Sequence, residues 1–142
     1  MKAVHCPPSA GAIFHLYVSI KKTRTGEGKI AGLGALTAPT YPVKTRVIVD
    51  DDIDVFDEKQ VLFAMATRMV PGRDVTIIGN CAGNALDPAA FDETRLKNGT
   101  MQDYMIIDAT KPLTLPTFTR LYPPEDLWKT MKLEDYIEGF VP

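Results

Sequence analysis

Apolar and polar positions follow two patterns along this chain, and each pattern predicts a different kind of element. Short runs rich in β-branched and aromatic residues predict strands, and longer segments bounded by turn residues predict helices. The predicted strands cover residues 13–20, 47–49, 74–78 and 104–107. The predicted helices cover residues 26–38 and 57–69, and a helical tail covers residues 123–142.

The order of these elements predicts the fold class. Strands that alternate with helices pair in parallel through right-handed crossovers, and the unbroken apolar run Val47-Ile48-Val49 is typical of a strand covered on both faces. We therefore predict an α/β fold with a mainly parallel central sheet of about four to five strands, flanked by helices and followed by a C-terminal docking helix. Residues 1–12 are expected to form a loop, and residues 1–142 a single domain.

The acidic segment after the strand at 47–49 is the most informative stretch. Five aspartates lie between positions 50 and 57, at a strand's carboxyl end and beside a helix start, where open α/β sheets bind ligands. A hard cation such as magnesium is one interpretation. Because side chains alternate along a strand, however, neighbouring aspartates point apart, and we favour a structural role with Arg68 as the partner. Structural roles are assigned to Asp51, Asp52, Asp54, Arg68 and Asp108.

Composition narrows the classes of function. The net charge of -2, without a basic block, argues against nucleic acid as a partner. Cys6 and Cys81 are far apart and lack metal-ligand spacing, so a reduced, cytoplasmic chain without a metal site is expected. No apolar run reaches the length that a membrane span needs. No Ser-His-Asp or Cys-His pairing stands at a recognisable spacing, so nucleophilic catalysis by this chain alone is not expected.

A loose dinucleotide-binding fingerprint is present at Gly26, Gly28 and Ala31, with the aspartates at 50–52 roughly 20 residues further on. The five residues 21–25 separate the preceding strand from the first glycine, whereas the fingerprint needs a tight turn directly after the strand. A small nucleotide-binding protein is therefore an alternative, not our first interpretation.

Six segments occur in a fixed order along nearly the whole chain and together carry a family resemblance. They are Pro7-Pro8, Phe14-His15-Leu16-Tyr17-Val18-Ser19-Ile20-Lys21-Lys22, Val47-Ile48-Val49-Asp50-Asp51-Asp52-Ile53-Asp54, Ala66-Thr67-Arg68, Leu86-Asp87-Pro88 and Ile107-Asp108-Ala109-Thr110. In this order they resemble the C-terminal domain of the UbiD family of decarboxylases. The resemblance implies enzymes that use prenylated FMN to add or remove carbon dioxide on aromatic and α,β-unsaturated acids.

The resemblance also implies a division of labour. In that family the prenylated-FMN site, the metal ligands and the catalytic glutamate-arginine-glutamate set lie in a larger N-terminal part. The C-terminal domain closes over the cofactor, lines one wall of the substrate pocket and mediates oligomer contacts through its terminal helix. For this chain the resemblance implies no catalytic residue and no metal ligand. It implies substrate-pocket residues at Tyr41, Pro42, Asn84 and Leu86 and a cofactor-binding candidate at Lys44.

Two departures from the family pattern stand out. Family members often carry a basic residue near Ala38 that reaches the cofactor phosphate, and here Lys44 or Lys22 would have to substitute for it. The familiar Lys-Met-Gly before Ile-Asp-Ala-Thr is Tyr104-Met105-Ile106 in this chain. Contacts made through that lysine or through a glycine are therefore in doubt.

Three hypotheses of function follow. The first is a separately encoded C-terminal subunit, or a fragment, of a UbiD-type decarboxylase or carboxylase. It would be inactive alone and would assemble, as a homo- or hetero-oligomer, with a UbiD-like catalytic subunit or N-terminal domain that holds prenylated FMN. The second is a non-catalytic regulatory or assembly module of the same fold. The third is the small nucleotide-binding protein.

Overall fold

Five strands form one mixed sheet in the part of the chain that the structure describes. The computed structural model describes residues 1–37, 42–90, 100–114 and 124–132. The strands are β1 (Ala3–His5), β2 (His15–Ile20), β3 (Thr45–Asp50), β4 (Val75–Ala82) and β5 (Met101–Asp108). They lie in the order β1-β2-β3-β5-β4. The pairs β2–β3 and β3–β5 are parallel, whereas β1–β2 and β4–β5 are antiparallel.

The helices connect these strands and cover the sheet. The described residues contain α1 (Glu27–Gly34), α2 (Glu58–Arg68), α3 (Pro71–Asp74) and α4 (Glu125–Thr130). Single 3-10 turns occur at Pro8–Ala10 and Pro88–Ala90. The α2 helix begins after Asp57, whose carboxylate accepts a hydrogen bond from the backbone N–H of Lys59 at 3.0 Å and so satisfies a donor of the first turn.

The α/β class is confirmed, but two details of the prediction are wrong. Residues 1–12 are not only a loop, because Ala3–His5 form β1 and pair with the free edge of β2. The third predicted strand, β4, is not parallel to its neighbour: α3 turns the chain onto the far edge, where β4 runs antiparallel to β5. An apolar run reports that a strand is present, but it does not report which strand will lie beside it.

The C-terminal helix was predicted over a longer range than the structure describes. The α4 helix ends at Thr130, and residues 133–142 lie outside the described residues. Leu127 and Met131 are exposed, and the surface on which this tail would dock stays a prediction.

Two layers of apolar side chains cover the two faces of the sheet. Since successive side chains of a strand point to opposite faces, alternate residues of β3 join different clusters. The cluster against α2 contains Val47, Val49, Val61, Ala64 and Ile107. The cluster on the α1 side contains Val18, Ile20, Ile48 and Ile106. Gly32 lets α1 approach closely, because a Cβ at that position would collide with Ile106.

Candidate functional site

The amino edge of the sheet, where β3 and β5 begin, gathers the described residues that were predicted to line a substrate pocket. Because β4 runs antiparallel to β5, the end of β4 lies at this edge. The turn after β4 therefore carries Asn84 and Leu86 to the edge at which Pro42 leads into β3. Tyr41, the fourth predicted pocket residue, lies outside the described residues.

An ion pair joins the two segments of the amino edge. Lys44 Nζ lies 2.9 Å from Asp87 Oδ2, and the Asp87 side chain is only 6% exposed. Burial opposes ionisation of Asp87, but hydrogen bonds from Lys44 and from the Ala89 amide outweigh it, so the pKa of this carboxyl lies below its usual value. Lys44 thus already has an anionic partner. A cofactor phosphate at Lys44 would have to share the lysine with Asp87.

Asn84 and Leu86 differ sharply in exposure, although they belong to one turn. Asn84 is 5% exposed, and its Oδ1 accepts a hydrogen bond from the Leu86 N–H at 2.9 Å. Asn84 Nδ2 is buried and has no hydrogen-bond partner among the described residues. Leu86 is 66% exposed. The turn therefore presents an apolar side chain to the outside and keeps an amide donor unused beneath it.

Two buried side chains hold the segment that leads into β3. Gln102 Nε2, on β5, donates to the Pro42 carbonyl at 3.0 Å, and Arg46 Nη1, on β3, donates to the Val43 carbonyl at 2.6 Å. Neither Arg46 nor Gln102 was singled out from the sequence, and neither was Asp87 as the partner of Lys44. The available signal for Arg46 was a charged residue directly before the apolar run at 47–49.

The carboxyl edge of the sheet carries the acidic cluster, and Arg68 lies at its centre. The Arg68 guanidinium donates two hydrogen bonds to the Asp52 carboxylate, both at 2.9 Å, and one to Asp50 Oδ2 at 3.0 Å. The Lys111 N–H also donates to Asp50 Oδ2 at 2.6 Å, and Lys111 Nζ lies 3.2 Å from Asp52. Hydrogen bonding by Arg68 lowers the pKa of the Asp52 carboxyl despite partial burial. This network connects the end of β3 to the end of α2 and to the segment after β5.

The other predicted structural aspartates lie apart from Arg68. Asp51 is exposed, and its side chain makes no hydrogen bond within the described part of the chain. Asp54 shapes the turn before α2, since its Oδ1 accepts from the Phe56 N–H at 3.0 Å. Asp108 Oδ1 accepts from the Thr110 hydroxyl at 2.6 Å and from the Thr110 N–H at 3.1 Å.

A cavity of about 360 Å³ opens at the carboxyl edge beside the start of α1. Its charged lining includes Lys22 and Lys29, together with Arg73, which binds Asp74; Lys22 Nζ donates to Thr110 Oγ1 at 2.7 Å. The Asp108 carboxylate lies directly against Gly28, where a Cβ would collide with it. A pyrophosphate at the first turn of α1 would meet this carboxylate as a like charge. The geometry therefore argues against the nucleotide-binding alternative.

No metal or membrane feature emerges from the described residues. Within the ranges 1–37, 42–90, 100–114 and 124–132, no group of three or more His, Cys, Asp or Glu side chains is arranged to hold a metal ion. Over the same ranges, none of the helices combines the length and the apolar character needed to cross a bilayer.

The structure thus defines an α/β domain with a polar network at each end of its central strands, and comparison with known proteins gives its family. The family model for the 3-octaprenyl-4-hydroxybenzoate carboxy-lyase C-terminal domain matches residues 1–109. The chain belongs to this family, the UbiD family, and the resemblance inferred from the sequence is confirmed.

Individual relatives agree with this assignment. The anhydromevalonate phosphate decarboxylase of Archaeoglobus fulgidus is 40% identical over 121 residues, which are 85% of this chain and 26% of the relative. The phenolic acid decarboxylase of Sedimentibacter hydroxybenzoicus is 41% identical over 86 residues, 58% of this chain and 17% of the relative.

Among solved structures, the UbiD-class enzyme HmfF from Pelotomaculum thermopropionicum, in complex with FMN, is similar over 94% of this chain and 28% of its own, with 40% identity and a TM-score of 0.76. An evolved dimeric form of the same enzyme, in complex with prFMN, has a TM-score of 0.64 at 36% identity, over 94% of this chain and 25% of its own. The chain therefore spans about a quarter of the length of these proteins.

Proposed function

We propose that this chain is the C-terminal subunit, or a fragment, of a UbiD-type decarboxylase or carboxylase. It closes the active site of a catalytic part that holds prenylated FMN, and it mediates assembly with that part. The main support is that the family match lies entirely within the C-terminal domain of enzymes more than three times as long. The two relatives act on anhydromevalonate phosphate and on a phenolic acid, judging by their names, so we propose an α,β-unsaturated or aromatic acid as the substrate.

The amino edge is the surface that we assign to the active site. Pro42 and Leu86 provide an apolar wall against the hydrocarbon part of the acid, and Tyr41 stays a pocket residue predicted from the sequence. Leu86, at 66% exposure, would lose this exposure when the catalytic part covers it, and burial of a leucine contributes about 1.5–3 kcal/mol. Closure of this wall excludes water from the site.

Asn84 adds a polar group to this wall. A buried amide N–H without a partner costs about 1–3 kcal/mol, and Asn84 Nδ2 is such a group among the described residues. An oxygen atom of the substrate, of the cofactor or of the catalytic part would satisfy it in the assembled enzyme once the turn that covers the amide moves aside. The described residues of this edge expose no cation free of an anionic partner, because Lys44 is paired with Asp87 and Arg46 is buried. We therefore assign binding of the prenylated FMN to the catalytic part. The cofactor bound there would supply the electrophilic ring chemistry. Lys44 stays a secondary candidate for contact with the cofactor phosphate.

Isolation of the chain from its native source tests the proposal. An affinity tag at the native locus should recover a complex that is larger than the chain, shows flavin absorbance and releases carbon dioxide from an α,β-unsaturated or a phenolic acid. Recovery of the chain alone, or only with proteins that lack flavin, would contradict the proposal. A flavin-bearing complex without turnover would instead support the regulatory or assembly module.

A pair of variants tests the assigned surface. Leu86→Asp should weaken assembly about tenfold or more, as expected for an apolar anchor at an interface. Ile30→Asp is the matched control, since Ile30 is 68% exposed and lies on α1, away from the amino edge. Equal effects of the two substitutions on assembly would argue against the amino edge as the contact surface.

A further inference from the structure

Two adjacent carbonyl groups at the amino edge are each held by a buried side chain from a different strand. Gln102 of β5 holds the Pro42 carbonyl, and Arg46 of β3 holds the Val43 carbonyl. Gln102 is 3% exposed and Arg46 is 2% exposed. Backbone carbonyls beside a strand can usually be satisfied by water or by neighbouring backbone, so two buried side chains devoted to one dipeptide need an explanation.

Arg46 is an unusual residue at this position, because its charge is buried and contacts no carboxylate of the described residues. Among the described residues it forms no ion pair, its Nε has no hydrogen-bond partner, and its guanidinium lies 4.6 Å from the centroid of the Tyr104 ring. Burial lowers the pKa of Arg46, and its neighbours Tyr104 and Cys81 oppose this only in part. Buried charges are normally paired, and an apolar side chain in such a place is often as stabilising or more so.

Gln102, like Arg46, is buried with one polar atom that is hydrogen-bonded and another that, among the described residues, is not. Its Nε2 reaches the Pro42 carbonyl, while its Oε1 is buried without a partner in the described part of the chain. A well-packed apolar residue at either position would avoid an unsatisfied polar atom. The shared feature of the two side chains is that each donates to the segment that leads into β3.

We propose that Arg46 and Gln102 are positioning residues that fix the Pro42–Val43 segment, and with it the pocket wall, for the reaction. This inference rests on the proposed function. The two donors hold the dipeptide from two strands at once, so its carbonyls cannot rotate away from the sheet. The Tyr104 ring covers the guanidinium and donates its own hydroxyl to the Ala82 carbonyl at 2.6 Å, which holds Arg46 in place from the β4 side.

The main test replaces Arg46 by methionine, which keeps the apolar stem and removes the donor. Arg46→Met removes a buried charge but also removes the donor to the Val43 carbonyl, so we expect its melting temperature to change little. In the isolated flavin-bearing complex its kcat should fall about 10- to 100-fold, because small misplacement of a positioning group has effects of this size. Arg46→Lys keeps a donor without the planar fork and should recover part of the loss. Arg24→Met is the matched control, since the Arg24 side chain is 85% exposed.

A second measurement does not depend on catalysis. The N–H groups of Lys44 and Thr45 both donate to the Phe14 carbonyl, at 3.0 and 2.9 Å, directly after the tethered dipeptide. Their hydrogen exchange should accelerate about tenfold or more in Arg46→Met and in Gln102→Met, and should not change in Arg24→Met. Unchanged exchange in both tethering variants would overturn the inference. So would faster exchange with unchanged kcat.

These outcomes separate the inference from the proposed function. If the unchanged chain forms no flavin-bearing complex, the proposed function fails, and the exchange rates still report whether the tethers hold the segment. If Arg46→Met does not fold, the Gln102→Met variant decides, since it removes the second tether and leaves the guanidinium in place.

Discussion

Replacing Arg68 by methionine should destabilise this domain more than any surface substitution. The Arg68 side chain is 3% exposed, and it neutralises Asp50, which is 5% exposed, and Asp52. Methionine fills a similar volume but leaves the Asp50 carboxylate buried with only the Lys111 N–H as a remaining donor among the hydrogen bonds described above. Breaking a buried pair by removing one partner costs about 3–5 kcal/mol. For a domain of this size that corresponds to a fall in melting temperature of about 10–17 °C.

Urea unfolding followed by circular dichroism measures this loss directly. Arg73→Met is the matched control, because Arg73 also forms a double hydrogen bond with an aspartate, at 2.7 Å for both contacts, but its side chain is 63% exposed. Exposed ion pairs contribute about 0–1 kcal/mol. If Arg68→Met and Arg73→Met lose equal amounts of free energy of unfolding, burial is not what makes the Arg68 network important.

The pH dependence of the same variant provides a second check. The pKa of Asp52 is lowered in the folded state, chiefly by the hydrogen bond from Arg68. A lowered folded pKa gives a stabilisation that is complete above the unfolded value of about 4 and is lost as the pH falls through the folded value. The difference between the unchanged chain and Arg68→Met should therefore shrink below about pH 4. A difference that stays constant down to about pH 2 would refute this reasoning.

Three further outcomes follow from individual contacts. Gly28→Ala should destabilise the chain by about 1–3 kcal/mol, because the new Cβ would collide with the carboxylate of Asp108 on β5. Gly34→Ala has open space around the new Cβ and should be neutral or stabilising by up to about 1 kcal/mol. Thermal melts that rank the two variants in the opposite order would contradict this. Asp87→Asn removes the ion pair with Lys44. Since the pKa of Asp87 is lowered in the folded state, the loss of stability in this variant should be largest near pH 7 and should disappear as the pH falls through the pKa of the folded carboxyl. Chemical denaturation at several pH values measures this loss. The Glu27 carboxyl accepts hydrogen bonds from two backbone amides and a hydroxyl in the turn before α1, so its pKa should be about 2; a carbon NMR titration with a midpoint near 4.5 would disagree.

The type and approximate position of an element could be predicted from the sequence wherever a segment is strongly biased toward residues that favour one kind of structure. The β-branched run at 47–49 predicted β3, and the Asp57 cap marked the beginning of α2. A partner for the acidic cluster was inferred at Arg68 because a partly buried carboxylate needs a donor, and the structure places Arg68 in contact with Asp50 and Asp52. The prediction assigned structural roles to Asp51, Asp52 and Asp54 and did not include Asp50, which Arg68 contacts. Asp51, one residue away, points to solvent instead.

The strand neighbours could not be read in the same way. A three-residue strand such as β1 has too few positions for a pattern, and the prediction placed a loop there. The parallel arrangement predicted for β4 was based on the order of the elements alone. The actual direction of β4 depends on hydrogen bonds between segments that are distant along the chain. The same holds for Gln102, whose amide reaches the Pro42 carbonyl 60 residues away along the chain. The Arg46 bond to the Val43 carbonyl spans only 3 residues, but no pattern in the sequence marks it.

By itself, the sequence determined the α/β class, the order of the elements and the family, because local composition and a series of motifs can be read without knowing which residues are in contact. Only the tertiary structure decided which residues meet. The antiparallel direction of β4 is the main case: a parallel β4 would carry Asn84 and Leu86 to the carboxyl edge, whereas the observed direction brings them to Pro42 and Lys44. Direction depends on pairing between residues 19 to 32 positions apart along the chain, and the alternation of apolar side chains is the same for either direction.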